Sequence, residues 1–330
     1  MWKINNRTNG VILNKFHLHV VKPFLVLIIE CSRNKEYDLI NYISCCPNPL
    51  ISNNKSILLY LVKKKYLKRK ISDVVSDIVM NYSYNEIIEQ YKIFQLQKKS
   101  ADQFDYNIRE EDIIEELYFV FSKFFYDKLF DDQFIWSTLG EVGFNRKLFH
   151  SNFYSENQIG VCAYCDLDTT LNSSNNYVEH FLPRSSFPFL SMHPNNLISS
   201  CGACNKQDEG KGVAVMNPIF SPFNLQIGDS IDYSIDYSNQ EIDLSANQIE
   251  VNNYISLLQL SDRYKKPQVF RAMLLRAASI YDILNEFPLS ELELRDYLIQ
   301  HNEKTKKVDP MGFLLNQLFN RLDDYEKFRK

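Results

Sequence analysis

Apolar positions change rhythm several times along the chain. Residues 11–32 mix short apolar runs and β-branched residues around a break at Pro23, which predicts one or two strands, or a strand and a turn. The run Phe24–Ile29 is too short to span a bilayer and is expected to be buried. His17 and His19 would then share one strand face. From Ile71 to Leu96, Val74, Val75, Ile78, Val79, Ile87, Ile88, Tyr91 and Phe94 recur at helical spacing. Another helix is predicted from about Glu110 to Leu129, opened by Glu110, Glu111 and Asp112, whose charges suit a helix N-terminus.

The periodicity then breaks. Across residues 156–220, Gly, Pro, Asn, Ser and Cys concentrate, as in turn-rich structure supported by bound ligands. Beyond Asp229 the stretch IDYSIDYSNQEIDL alternates apolar and polar residues around a turn at Ser238-Asn239, which predicts a strand pair. Helical patterns return near 247–260, 264–286, 289–302 and 311–328. The expected organisation is a mainly helical domain over 1–155, a ligand-braced core over 156–220 and a mainly helical domain over 221–330.

Composition narrows the class. Of 330 residues, 45% are hydrophobic and 24% charged, as in an ordinary globular protein. The 23 Phe and 20 Tyr predict a core rich in rings, and only 9 Gly and 11 Pro argue against a linker-rich or all-β chain. The polar start Met1–Arg7 carries no secretory pattern, so a soluble, cytoplasmic protein without membrane association is expected. The formal charge of -4 is unusual for a nucleic-acid enzyme, although binding depends on where basic residues cluster. One such cluster is Lys63–Lys70, with six basic residues around Tyr66 and Leu67; it suits either a phosphate-tracking surface or a solvated helix face.

Candidate chemistry concentrates between Cys162 and Asn205. Cys162-Ala163-Tyr164-Cys165 and Cys201-Gly202-Ala203-Cys204 each offer two thiolates, and four thiolates close a tetrahedral structural zinc site. The blander readings are two buried thiol pairs or a redox motif. The pairs stand much farther apart than in a plain zinc ribbon, so a substantial insert separates them. It carries Glu179-His180-Phe181-Leu182-Pro183-Arg184 and then Asn195-Asn196-Leu197. A neutral His near its natural pKa suits the activation of water, while consecutive residues of a strand point to opposite faces.

The order Cys162-x-x-Cys165, Glu179-His180-Phe181-x-Pro183, Asn196-Leu197, Cys201-x-x-Cys204-Asn205 resembles the HNH endonuclease motif, in the variant that ends in Asn and is braced by four Cys. The resemblance covers residues 158 to 212. It implies an α+β fold: a mainly helical protein around a central zinc-braced ββα-metal, treble-clef-like HNH core. It further implies His180 as general base, Asn196 as the residue holding the His180 loop, and Glu179 with Asn205 as ligands of a catalytic Mg²⁺ or Mn²⁺. Oxygen ligands favour such hard ions. Arg184, Lys206 and Lys211 are candidate nucleic-acid contacts. The family usually has Asp where this chain has Glu179, and often Lys where this chain has Asp208.

The activity implied is hydrolysis of phosphodiester bonds, of double-stranded DNA in the first instance, leaving 5′-phosphate and 3′-hydroxyl ends. The layout is also similar to HNH subunits of bacterial anti-phage systems such as Septu, which act with an ATPase partner. An RNA-directed nuclease and a catalytically silent zinc module for protein or DNA contact are the alternatives.

Overall fold

The computed structural model describes residues 1–171, 176–206, 210–284 and 286–329. It is mainly helical, with three two-stranded sheets among the described residues, and thus α+β as expected. The chain folds as two compact units, each drawn from separate stretches of sequence.

One unit comprises residues 6–156 and 180–198. Its helices are α1 (Arg7–Phe16), α2 (Lys22–Asn34), α3 (Leu39–Cys45), α4 (Pro49–Ser52) and α5 (Lys55–Lys63), followed by strands β1 (Lys65–Tyr66) and β2 (Arg69–Lys70). Then come α6 (Ile71–Asn81), α7 (Tyr84–Asp102), α8 (Glu115–Tyr118), α9 (Gln133–Thr138) and α10 (Arg146–Asn157). The expected strands over 11–32 are not there: α1 and α2 form one helical run, joined by a wide π-helical turn at His17–Val21. In that turn the Lys22 amide donates to the His17 carbonyl, five residues back. The shifted register accommodates Pro23, which has no N–H to give. Leu13, Phe16, Val20, Phe24, Leu27 and Ile28 are all wholly buried. The run Arg7–Asn34 is long and apolar enough to cross a membrane by length and composition, but 61% of its most apolar window is buried within the chain.

The helical stretch predicted over 71–96 is real but broken. At the break the Ser83 hydroxyl accepts the Glu86 amide while the Glu86 carboxylate accepts the Ser83 amide, and this reciprocal cap starts α7. The helix expected from Glu110 begins only at Glu115, and from Phe119 to Leu129 it continues as a π-helix. That segment packs Phe121, Phe124 and Phe125 into the core, with Phe125 edge-on to Phe16 and Phe24, each at 5.6 Å.

Strands β3 (Asn176–His180) and β4 (Leu197–Cys201) pair with each other, and the chain passes between units within each of them. The second unit holds α11 (Gly202–Asn205), β5 (Asp232–Asp236), β6 (Glu241–Ser245), α12 (Ile249–Leu257), α13 (Leu260–Tyr264), α14 (Pro267–Leu284), α15 (Glu291–Thr305), α16 (Gly312–Asn320) and α17 (Leu322–Arg329). β5 and β6 form the predicted hairpin, antiparallel from Asp232 opposite Ser245 to Asp236 opposite Glu241. Its turn is tied by Asp236, whose carboxylate accepts the amides of Ser238 and Asn239. The core of this unit is ring-rich, with Tyr164, Tyr233, Tyr254 and Tyr264 buried.

Candidate metal centre and histidine site

The four motif cysteines converge. The sulfurs of Cys162, Cys165, Cys201 and Cys204 all lie within 4.8 Å of one another and are buried. Cys162 and Cys204 are 3.8 Å apart, as are Cys165 and Cys201. A tetrahedron with Zn–S bonds near 2.3 Å has edges of about 3.8 Å, whereas a disulfide would bring two sulfurs to about 2 Å. The cluster could therefore hold a structural metal such as zinc, and its sulfur donors fit that ion.

The surroundings fit metal-bound thiolates as well. The Cys201 amide faces the Cys162 sulfur at 3.4 Å, and the Leu167 amide faces Cys165 at 3.5 Å. From α13, the Arg263 guanidinium donates to Cys204 at 3.0 Å, to Cys165 at 3.3 Å and to the Asp168 carboxylate at 3.1 Å. Burial opposes its charge, but the Cys165 and Cys204 sulfurs outweigh burial and hold it protonated. The hydroxyls of Tyr254 and Tyr264 donate to the carbonyls of Tyr164 and Cys165, each at 2.9 Å, pinning the first knuckle. Gly210 closes the second. A Cβ there would run into the carbonyls of Ala203 and Cys204, so the backbone approach requires glycine.

Glu179, next to last in β3, lies in the same unit as this cluster. Its carboxylate meets the Lys211 ammonium at 3.2 Å, and the Lys211 side chain is wholly buried. Burial pushes that ammonium's pKa down, against the pull of Glu179. Lys211, expected to meet nucleic acid, is instead the counter-charge of Glu179. Asn205 ends α11, half-buried, and Lys206 follows it, exposed. Asp208 lies outside the described residues.

His180 ends β3 and belongs to the other unit. It is 5% exposed, and its Nε2 lies 2.9 Å from the Ser191 carbonyl. A carbonyl only accepts, so Nε2 carries a proton, and in the neutral form of the ring the lone pair is on Nδ1. The Ser191 hydroxyl in turn donates to the Phe121 carbonyl at 2.7 Å. The Tyr126 ring stands edge-on to the imidazole with centroids 4.4 Å apart.

Asn196 clamps the turn after His180. Its Oδ1 accepts the Leu182 amide at 2.7 Å, and its Nδ2 donates to the carbonyls of Leu182 and Leu190 at 3.0 and 3.2 Å. These three bonds fix the conformation of a buried loop that has no ladder of its own. Arg184, expected at phosphate, is engaged within the unit. It pairs with Asp127 at 2.6 Å, donates to the Ser122 carbonyl and lies over the Tyr126 ring at 4.8 Å.

The π-helical segment Phe119–Leu129 thus supplies the Phe121 and Ser122 carbonyls, the Tyr126 ring and Asp127 to the His180 loop. Its wider turns leave carbonyls open to side-chain donors, and such segments recur at functional sites. A helix was expected over this segment, but neither its part in the His180 loop nor the part of Arg263 at the cysteines carries a local spacing signature.

In the basic run 63–70, Lys63 ends α5 and the remainder is not a helix face. β1 and β2 pair as a ribbon, with Lys65 opposite Lys70 and Tyr66 opposite Arg69. At its tip Leu67 and Lys68 take left-handed φ of 45° and 69°. Lys64 and Arg69 are paired with Asp132 and Asp77, whereas Lys63, Lys65, Lys68 and Lys70 make no ion pair among the described residues.

Comparison with known proteins gives one partial likeness. A 61-residue stretch, 18% of this chain, is 36% identical to the Septu protein PtuB of Bacillus thuringiensis. The match spans less than a quarter of that relative, 23% of its length. No family model matches the chain. No solved structure matches it either.

Proposed function

We propose that this chain is a metal-dependent endonuclease of the HNH type, built on a zinc-braced ββα-metal core, that hydrolyses double-stranded DNA. The partial likeness to a Septu protein supports a place in bacterial anti-phage defence; action alongside an ATPase partner is part of the proposal. The observation that carries the reading is the orientation of His180. A buried imidazole whose Nε2–H is committed to the Ser191 carbonyl has, when neutral, its basic lone pair at Nδ1.

In the proposed reaction Nδ1 of His180 takes a proton from water as the water oxygen attacks phosphorus. The bond from phosphorus to the 3′ oxygen breaks, and that oxygen leaves as a hydroxyl after taking up a proton from solvent water. The resulting imidazolium lies against the Tyr126 ring, and the Nε2 bond to Ser191 keeps the ring from turning. Asn196 contributes by holding the loop that carries this geometry.

Glu179 and Asn205 are the residues that would hold a divalent ion. The carboxylate is buried and already attracts a cation, the Lys211 ammonium, and both donors are hard oxygens. Such an ion, when bound, would supply charge stabilisation at the phosphate and the leaving oxygen. The lysine ribbon at 63–70 offers the phosphate grip that the overall charge of -4 does not suggest.

The test is cleavage of supercoiled plasmid in Mg²⁺ or Mn²⁺ by the purified chain, alone and with a co-purified ATPase, beside His180→Ala. Nicking or linearisation by the parent, abolished in a variant that keeps its zinc, is expected. Intact DNA and intact structured RNA under every condition would leave the silent zinc module as the correct reading.

A further inference from the structure

A second site lies away from the chemistry described above, in a groove between the α1–α2 run and α7. The cavity measures about 670 Å³, within the size range of small-molecule sites. His17 forms part of its lining and is 4% exposed, with its ring parallel to Phe94 at 6.5 Å. Both ring nitrogens of His17 are buried without a well-formed hydrogen bond, although the Met192 backbone also acts on the ring. Burial, with His193 next, lowers its pKa to about 3, so the ring is neutral and holds one donor and one acceptor.

The neighbouring ring shows what a satisfied histidine looks like here. His193, 5.4 Å from His17, accepts the Asn195 amide at Nδ1, so its Nε2 carries the proton and donates to Asp102 at 3.1 Å. Asp102 also accepts from Lys98 at 2.5 Å. The carboxylate on the groove wall is thus already committed. Lys22 and Lys99 complete three lysines against that one acid, and the Tyr91 ring lines the same space.

An imidazole short of well-formed hydrogen bonds, an aromatic wall and an excess of ammonium groups call for a ligand with three matching parts. It needs an edge that hydrogen-bonds to a neutral ring, a flat face and an anionic tail. We propose that this groove binds a nucleoside phosphate, the base against Tyr91 with its edge toward His17, and the phosphates on Lys22 and Lys99. Base stacking needs only a π face and tolerates any of the four bases, whereas the lysines select for phosphate. The site uses none of the residues assigned to the nuclease, so either reading can fail without the other.

Calorimetric titration of the full chain with each of the four common nucleoside triphosphates tests this, beside pyrophosphate and the free nucleosides. Saturable binding of at least one triphosphate is expected, with its nucleoside and pyrophosphate each markedly weaker. The double variant Lys22→Ala/Lys99→Ala removes no ion pair among the described residues and should melt like the parent. It should bind the triphosphate weaker by about tenfold or more, the loss of charge-assisted contacts. Tyr91→Ala should weaken the triphosphate and leave pyrophosphate unchanged. The proposal is overturned if no triphosphate binds at millimolar concentration, if the lysine variant binds as tightly as the parent, or if pyrophosphate binds as well as any triphosphate.

Discussion

Arg263 donates to the Cys204 sulfur at 3.0 Å, placing a buried guanidinium on a cluster whose ligands come from two distant knuckles. Four thiolates around a divalent ion carry a net double negative charge, which is costly to bury. Arg263 offsets part of it, and its fork reaches Cys204 and Cys165 together. Replacing it with Met should lower metal affinity by about 10–100-fold, the usual effect of losing an outer-shell partner. Competition with a chromogenic chelator measures this. Arg263→Lys restores the charge without the fork and should recover only part of the loss, while equal zinc retention in all three proteins would show that the guanidinium plays no part.

How much of this could be read from the sequence follows from where each signal resides. The cysteine cluster was legible because two ligands three residues apart are a local pattern that only a few chemistries use. The β5–β6 hairpin was legible too, since alternation and the Asp236–Asn239 turn are both local. The α1–α2 run was misread for a physical reason: its apolar residues crowd together, unbroken over Phe24–Ile29, and hide the helical stripe made by the buried Leu13, Phe16, Val20, Phe24, Leu27 and Ile28. Its β-branched residues and Pro23 then mimic a strand and a break, until the π turn at His17–Val21 absorbs the proline. Asp127, Tyr126 and Arg263 act through partners 54 to 98 residues away, where spacing carries no information. The sequence did offer Lys211 as a basic residue beside the motif, but not that its charge is turned inward to Glu179.

That inward pair yields a metal test with a stability readout. Lys211→Met removes the cation beside a buried carboxylate, which should destabilise the metal-free protein by about 3–5 kcal/mol. Adding Glu179→Gln should recover much of that loss, because the carboxylate charge goes with its partner. If Glu179 is a ligand for a hard divalent ion, Mn²⁺ should raise the melting temperature of Lys211→Met more than that of the parent. An equal Mn²⁺ response in the two proteins would remove Glu179 from the ligand set.

Acid should act through buried histidines before it reaches the carboxylates. Burial lowers His17 to about 3, and burial with nearby Arg146 lowers His150 to about 4, against 6.5 in the unfolded chain. Above pH 6.5 both states are neutral and no penalty exists. As pH falls below that, the unfolded chain takes up protons that the folded chain refuses, so stability drops. The slope approaches about 1.4 kcal/mol per pH unit for each histidine at most, and it ends near the folded values. Urea midpoints between pH 7 and 4.5 should therefore fall, and His17→Leu should make the fall shallower by up to one proton. Parallel curves for parent and variant would mean that His17 is protonated in the folded state.

The ribbon offers a prediction in which stability and binding move in opposite directions. Lys65 faces Lys70 across β1 and β2, and like charges directly opposite destabilise a strand pair. The tip adds backbone strain, since Leu67 has no glycine-like freedom at a φ of 45°. A fold under no other demand would relieve both costs, and the proposed nucleic-acid partner would supply the demand. Lys65→Glu turns the repulsive pair into an attractive one and should stabilise the protein by about 0.2–1 kcal/mol. The same change should weaken duplex DNA binding. Lys65→Ala should reduce the slope of log affinity against log salt by about 0.9, the share of one lost phosphate contact. Melting curves and fluorescence anisotropy at several salt concentrations read the two effects separately. Should Lys65→Glu stabilise the chain and leave DNA affinity and its salt slope unchanged, the ribbon is not the DNA grip, and phosphate contacts must come from elsewhere on the chain or from a partner.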